Sequence, residues 1–315
     1  MKNTTLKQLR AFAAVVKSGS VTGAAELLHV TPPAITQQMR LLQDHAHVPL
    51  VERSLKGTML PTSAGRELLA SVERIEATLA ECTGTLAAYA GSEYGSVSVG
   101  VVSTAKYFAP QALAAFSRSH PGIDLRLTVG NRAEVLRAIE HYELDVVIMG
   151  RAPQSFEIVS SPIGDHPHVI IAAPDHPLCG RKRLPARALS GETFLVREPG
   201  SGTRGLMERY FEKAGVTPNI GMQITSNETI KQAVMAGLGV SFISAHTIGA
   251  EIADKRLAVL NVAHLPIVRQ WYVMHLKERR LIPAAEVLWS FLTENGSQFL
   301  PQVAGLHKSR PHRTS

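Results

Sequence analysis

Cysteine is almost missing from this chain: 315 residues hold two, Cys82 and Cys179, far apart and outside any CxxC motif. That excludes a disulfide framework and fits a reduced compartment. No apolar run approaches the roughly 20 residues a bilayer-spanning helix needs. The opening MKNTTLKQLR lacks an apolar core followed by a small-residue cleavage site, so it does not read as a secretory signal, and a cytoplasmic, membrane-free protein is expected. Catalytic signatures are scarce too. GxSxG, HExxH and GxGxxG do not occur in a convincing context, and Cys179 has no histidine at a nucleophile spacing. His166 and His168 flank a proline beside Asp165, with Asp175 and His176 following; the segment reads as a loop without zinc spacing, and no metal is expected.

What is present is an ordinary globular balance, 45% hydrophobic and 19% charged, in a chain too long for one core. The net charge of +7 is unevenly spread. Residues 1–60 carry seven basic and three acidic side chains, and the tail from 301 adds Lys308, Arg310 and Arg313. Solubilising charge or a polyanionic partner would both account for it.

Three short helices can be read in the first sixty residues. Leu6, Leu9, Phe12, Ala13 and Val16 mark one apolar face. Val21, Ala24, Ala25 and Leu28 mark a second, capped by Ser20 or Thr22. Ile35, Met39 and Leu42 mark a third, entered through Thr31 and Pro32. The short link at His29 and Val30 forces a sharp angle, the layout of a helix-turn-helix. Thr36, Gln37 and Arg40 lie on the polar face of the third helix, able to reach base edges and phosphates. The segment VERSLKGTMLPTSAG then reads as a hairpin wing placing Arg53 and Lys56 near a minor groove or phosphate.

From Thr62 to about Tyr89 no proline interrupts a helical pattern. Leu68, Val72, Ile75, Leu79, Cys82 and Leu86 recur at heptad spacing, which favours pairing with a second copy; the alternative is a helix packed on its own domain. Beyond the AYAGSEYGS hinge, strands and helices alternate in two series, predicting parallel sheets flanked by helices and a cleft at the strand ends. Polar residues at those junctions are candidate ligand contacts: Ser103, Thr104 and Lys106; Asn131 and Arg132; Arg151; Ser201, Thr203 and Arg204; Asn227, Glu228 and Thr229. In PGSGTR the glycines permit close approach, and the helix that follows offers free N–H groups to an anion; the GK[ST] ending of a P-loop is missing.

The stretch LKQLRAFAAVVKSGSVTGAAELLHVTPPAITQQMRLLQDHAHVPLVERSLKGTMLPTSAG resembles the DNA-binding module of LysR-type regulators over its full length. By that resemblance Pro33, Thr36, Gln37 and Arg53 fall at positions the family uses on DNA, with Thr31, Arg40 and Lys56 beside them. Pro32 stands where the family commonly has Gln, removing a side-chain amide that could read a base. LVREPGSGTRGLMERYFEKAG, SNETIKQAVMAGLGVSFIS and LPIVRQWYVMHLKERRLIPAAEVLWSFL look most like the branch controlling Calvin-cycle (RuBisCO operon) genes.

The resemblance implies an α/β protein in parts: a winged helix-turn-helix (1–61), a long dimerisation helix (62–90) and a two-lobed, periplasmic-binding-protein-like effector domain (91–300). Lobe 1 takes about 91–163 and 268–300, lobe 2 about 164–267; a basic tail (301–315) reads as disordered, with nonspecific DNA contact the sharper alternative. The implied function is activation of transcription, with promoter DNA, a second copy in a homodimer or homotetramer, and RNA polymerase as partners. No cofactor is expected beyond a small anionic metabolite as effector. A LysR-type regulator of another operon, or a two-lobed receptor or enzyme with an accessory N-terminal module, is the alternative.

Overall fold

The computed structural model describes residues 1, 3–89 and 95–303; most of the expected hinge and of the basic tail lies outside these residues. The chain forms two compact units, Met1–Thr83 and Gly84–Ser315.

In the first unit α1 (Leu6–Ser18), α2 (Val21–Leu28) and α3 (Pro32–Ala46) precede an antiparallel hairpin of β1 (Val51–Arg53) and β2 (Met59–Pro61). Thr5 and Gln8 form a capping box that starts α1, and Ser20, not Thr22, caps α2 by accepting from the Gly23 N–H at 3.0 Å. Thr31 stands at the N-cap of α3 without a side-chain capping bond. Phe12, Ala24, Ala25, Ile35, Met39 and Leu42 meet in one core. The buried face of α1 is rotated from the expected stripe: Ala11, Ala14 and Val15 are buried, Ala13 and Val16 half-buried, and Leu6 is exposed. A helix covered from more than one side buries more than a single stripe.

The long helix α4 (Ser63–Tyr89) begins inside this unit. Leu68 and Leu69 pack against the three-helix core with Val72, which is 2% exposed. Arg10 and Glu76 add a bidentate ion pair at 2.7 and 3.0 Å between α1 and α4. The heptad pattern therefore serves two purposes. Its first residues close the core of their own unit, whereas Ile75, Leu79, Cys82 and Leu86 are exposed.

The second unit is built on β3 (Gly95–Val102), α5 (Ala109–Ser119), β4 (Ile123–Gly130), α6 (Arg132–Glu140) and β5 (Val146–Met149), whose three strands are parallel. Then β6 (Ile158–Ala172) runs out of this lobe and into the next. There β7 (Thr193–Arg197), α7 (Gly202–Lys213), β8 (Asn219–Ile224), α8 (Asn227–Met235), β9 (Ser241–Ser244), α9 (Gly249–Ala253) and β10 (Ala258–Leu260) follow. Finally β11 (Ile267–Leu276) returns to α10 (Pro283–Asn295).

Among the named strands parallel pairing joins β3 to β4 and β5, and β7 to β8, with isolated parallel bridges at Leu184–Val262 and Phe194–Val240. The expectation of parallel sheets throughout is corrected by β6, which pairs antiparallel with β9, β10 and β11 in a seven-stranded sheet whose order is β10-β6-β11-β5-β3-β4, with β9 attached to β6 off that path. Antiparallel crossing strands follow from a chain that must leave the first lobe and come back beside its own path. The HPH segment is likewise strand, not loop, although prolines 162 and 167 are rare inside strands. Among the described residues no helix is long and apolar enough to cross a membrane.

Because Val72 closes the first unit's core, Val72→Ala should lower that unit's stability by about 2 kcal/mol. A urea titration of the full chain, followed by far-ultraviolet circular dichroism, measures this.

Candidate functional site

Two surfaces carry the chemistry. On the first unit, Thr31, Pro33, Thr36, Gln37 and Arg40 are all exposed along the start of α3, and Arg53 and Lys56 are exposed on the hairpin. The Thr36 hydroxyl donates to the Pro32 carbonyl at 3.1 Å. Arg40 stands 3.9 Å from Asp44 in a loose, solvated pair, so its guanidinium is available to another anion. The apolar side of the same helix is fixed in the core, so this face is the one left for a ligand.

On the second unit, the C-terminal ends of β3, β4 and β5 open on a cavity of about 370 Å³. Ser103, Thr104, Asn131, Arg132, Arg151, Ser201 and Thr203 line it, all expected from sequence. The other five expected residues do not. Arg204 turns to its own lobe, donating to Glu208 (2.8 Å), Gln223 (2.8 Å) and the Arg197 carbonyl (3.1 Å). Lys106 lies over the Tyr107 ring. Glu228 receives the Tyr107 hydroxyl and pairs with Lys231 at 3.1 Å. The Thr229 N–H donates to the Ser226 hydroxyl in the cap of α8. Asn227 is a support: it accepts from Arg197 at 2.7 Å and donates to the Ser103 carbonyl at 3.4 Å.

The lining also includes residues that sequence reasoning missed, among them His166, His168, Arg197, Arg209 and Arg269. Arg209 had a signal. Gly202, Gly205, Leu206 and Arg209 repeat at i, i+3, i+4 and i+7, one face of α7, and Arg204 lies off that face. Arg269 and the histidines had none, because their strands meet only through long-range pairing.

The cations fall into two kinds. Arg197 is neutralised: buried, it grips Glu198 through two 2.8 Å bonds and reaches the Ser103 hydroxyl at 3.1 Å. Arg132, Arg151, Arg209 and Arg269 make no ion pair with a carboxylate among the described residues. Burial, then repulsion from Arg151, Arg269 and Arg209, holds Arg132 below its ordinary basicity. Burial, then Arg209 and Arg151, does the same to Arg269. The Arg132 guanidinium is aimed by the carbonyls of Arg151 and Ala152. Ser201 enters α7 without a side-chain capping bond, so its hydroxyl and the first N–H groups of that helix face the cavity unspent. Gly200, at φ +86°, turns the chain there, and a Cβ on it would sit 3.1 Å from that of Ala133.

Beneath lies a buried aromatic layer. His166 stacks on Trp271 at 3.7 Å and 15°, and Trp271 donates to His246 Nδ1 at 3.0 Å. His166 Nε2 meets the Ser244 hydroxyl at 2.9 Å, while its buried Nδ1 has no partner. Among the described residues no group of three or more His, Cys, Asp or Glu could hold a metal ion. Asp165 is engaged with Gln270 and His176 with Glu192.

Compared with known proteins, residues 6–66 match the bacterial regulatory helix-turn-helix protein, lysR family, and residues 90–297 match the LysR substrate binding domain. The chain is 54% identical to the HTH-type transcriptional regulator CbbR of Xanthobacter flavus over 303 residues, covering 96% of this chain and 91% of that protein. It is 42% identical to the RuBisCO operon transcriptional regulator of Allochromatium vinosum over 296 residues, 94% of this chain and 98% of the other. The regulatory domain of CcmR from Synechocystis PCC6803, solved in complex with 2-PG, superposes with a TM-score of 0.62 at 36% identity, covering 64% of this chain and 96% of that one.

The histidine layer makes the second unit sensitive to acid. Burial holds His246 at about 4, His168 at about 3 and His166 well below the usual imidazole value. In the unfolded chain the same rings take up protons near pH 6.5. The unfolded state therefore binds more protons below that pH, and stability complete above about 6.5 is lost as pH falls toward 4. Calorimetric melting of the full chain should show the temperature falling from pH 7 to pH 5, and less steeply in His246→Gln.

Proposed function

The chain belongs to the LysR family of transcriptional regulators, and on that premise we propose that it grips two-fold-related promoter DNA in a way that a small anionic metabolite in the cleft adjusts. The observation that carries the proposal is the set of four arginines, unpaired with any carboxylate among the described residues, around one cavity at a helix N-terminus. Such a site costs electrostatic energy while empty and recovers it when an anion enters. The effector contacts are Ser103, Thr104, Asn131, Arg132, Arg151, Ser201 and Thr203, joined by Arg209 and Arg269.

On DNA, α3 enters the major groove with Thr31, Pro33, Thr36, Gln37 and Arg40, and the hairpin sets Arg53 and Lys56 against the backbone or minor groove. Pro32, exposed at the first position of α3, offers no amide to a base, so base reading passes to Thr36 and Gln37. Ile75, Leu79, Cys82 and Leu86, exposed along one side of α4, form the seam of a homodimer, which pairs into a homotetramer. The likeness to regulators named for the RuBisCO operon supports activation of carbon-fixation genes in the cytoplasm, with RNA polymerase as the further contact. The CcmR complex supports 2-PG, or an anion of its kind, as effector. A receptor or enzyme with an accessory module gives way, because both LysR segments occur in one chain beside relatives that are named regulators.

A footprint of the protein on its own upstream intergenic DNA tests the reading: a two-fold site should be protected, and its extent should change with 2-PG. Arg53→Ala should weaken binding on all sequences and shrink the salt dependence by about one phosphate contact; salt-independent binding would defeat it. Arg132→Ala combined with Arg269→Ala should abolish the footprint change while effector-free protection persists. Loss of protection itself would move these arginines from sensing to structure.

A further inference from the structure

A third link joins the two lobes besides β6 and β11, and we infer that it restrains the cleft: residues 296–303 form a strap that closure around an effector has to pull free. After α10 the chain makes a short 3-10 turn over Gly296–Phe299 and runs on to Val303 without regular structure. Phe299 and Leu300 pack against the core of the first lobe. Val303, three residues later and half-buried, packs against a core of the second lobe, the one that holds Val169 and Ile171. Residues 298–303 follow the segment that matches the LysR substrate binding domain, which ends at 297.

The strap crosses β6 at the one irregularity of its ladder with β11. Trp271 pairs with Gly164 and Tyr272 with Pro162, so Ile163 is an extra residue on β6. A bulge disrupts pairing locally and bends the strand, which makes this the place where the crossing strands flex with least loss. The strap is close-packed on that pivot. A Cβ on Gly296 would come within 2.8 Å of Ile163 Cγ2, and one on Gly164 within 2.7 Å of Leu300 Cδ1. The face it occupies decides the direction of its effect. His166 and His168 line the cleft, and strand alternation points Val169 and Ile171 the other way. Val303 therefore sits behind the crossing strands, and closing the lobes in front lengthens the path from Leu300 to Val303. Three residues of chain reach at most about 10 Å, so little slack is available before one anchor leaves its seat. Exposing an apolar anchor costs free energy, which differential binding of the effector has to supply.

The strap's role rests on the reading of the cleft as the effector site, and calorimetric titration of the full chain with 2-PG tests both. Val303→Ser frees the strap at the second lobe and leaves the packing of the pivot untouched; it should tighten 2-PG binding about threefold. Leu300→Ala, which frees the other end, should act in the same direction, and Val303→Ser decides the matter where Leu300→Ala fails to fold. Packing confined to one lobe would instead leave binding unchanged or weaken it. A second readout follows the anchor itself: in Val303→Cys, the rate of thiol labelling at position 303, resolved by peptide mass, should rise when 2-PG is saturating. Wild-type binding of 2-PG with no tightening in Val303→Ser, or with labelling at 303 unmoved by 2-PG, overturns the strap and leaves the cleft as an effector site. Failure of the wild-type protein to bind 2-PG removes the effector reading, and the restraint with it.

Discussion

The second unit depends on one piece of backbone pairing, the antiparallel ladder between β6 and β11. Ten residues of β11 find partners on β6, from Ile267 opposite His168 to Leu276 opposite Ile158, with one irregularity at Trp271/Tyr272. These strands join the two lobes, so the register of this ladder decides what faces the cleft. His166 and Arg269 are direct partners and share a face of the sheet, as do His168 and Trp271 by two-residue alternation. Trp271 sits opposite Gly164 and lies against the His166 ring, while the absent side chain at Gly164 makes room for Leu300. A slip of one residue would send His166, His168 or Arg269 to the opposite face and dissolve the cavity floor. The long strand with its two prolines is therefore a device for setting one register.

Around that floor, the unit separates cations neutralised within the fold from cations left without a carboxylate among the described residues. Arg197 shows what a structural arginine requires: a bidentate carboxylate, an amide oxygen and a hydroxyl, which together compensate a buried charge. Lys231 is treated alike, with Glu251 at 2.8 Å, the Thr247 carbonyl at 2.9 Å and Glu228 at 3.1 Å. Arg132 is aimed by two backbone carbonyls, which fix its direction without neutralising it. The fold had glutamates to spend and spent them elsewhere.

How much of this was legible in the sequence varies with the range of the contacts. The winged helix-turn-helix is local: caps, short links and 3.6-residue spacing place Ile35, Met39 and Leu42 inside and Thr36, Gln37 and Arg40 outside without distant information. PGSGTR was legible because a glycine turn before a helix is also local, and Ser201 and Thr203 reach the cavity. Adjacency to the turn points to Arg204 but says nothing of direction on a helix; the face repeating through Gly202, Gly205 and Leu206 leads to Arg209. At His166 and His168 the neighbouring prolines argue for a loop, whereas a partner strand about a hundred residues later imposes strand alternation. The heptad of α4 was ambiguous in sequence for a physical reason, since Val72 closes one core while Leu79, on the same stripe, stays exposed.

A cluster of like charges attracts anions of many shapes with little preference among them, because Coulomb attraction falls slowly with distance and has no direction. Discrimination has to come from a short-range, directional group. In this cavity His166 is held neutral: burial disfavours its charged form, and the charges of His168, His246 and Arg269 disfavour it further. A protonated ring would add one more cation to a site already rich in them and would bind phosphate or carboxylate alike. Kept neutral, the ring is fixed by stacking on Trp271 and by the Ser244 hydroxyl at Nε2, a rigid wall beside the charges. Of the four arginines, Arg269 stands with His166 on the two strands that join the lobes, whereas Arg132 lies on α6, Arg151 just after β5 and Arg209 on α7, so the positive lining of the cleft is assembled from separate elements of both lobes.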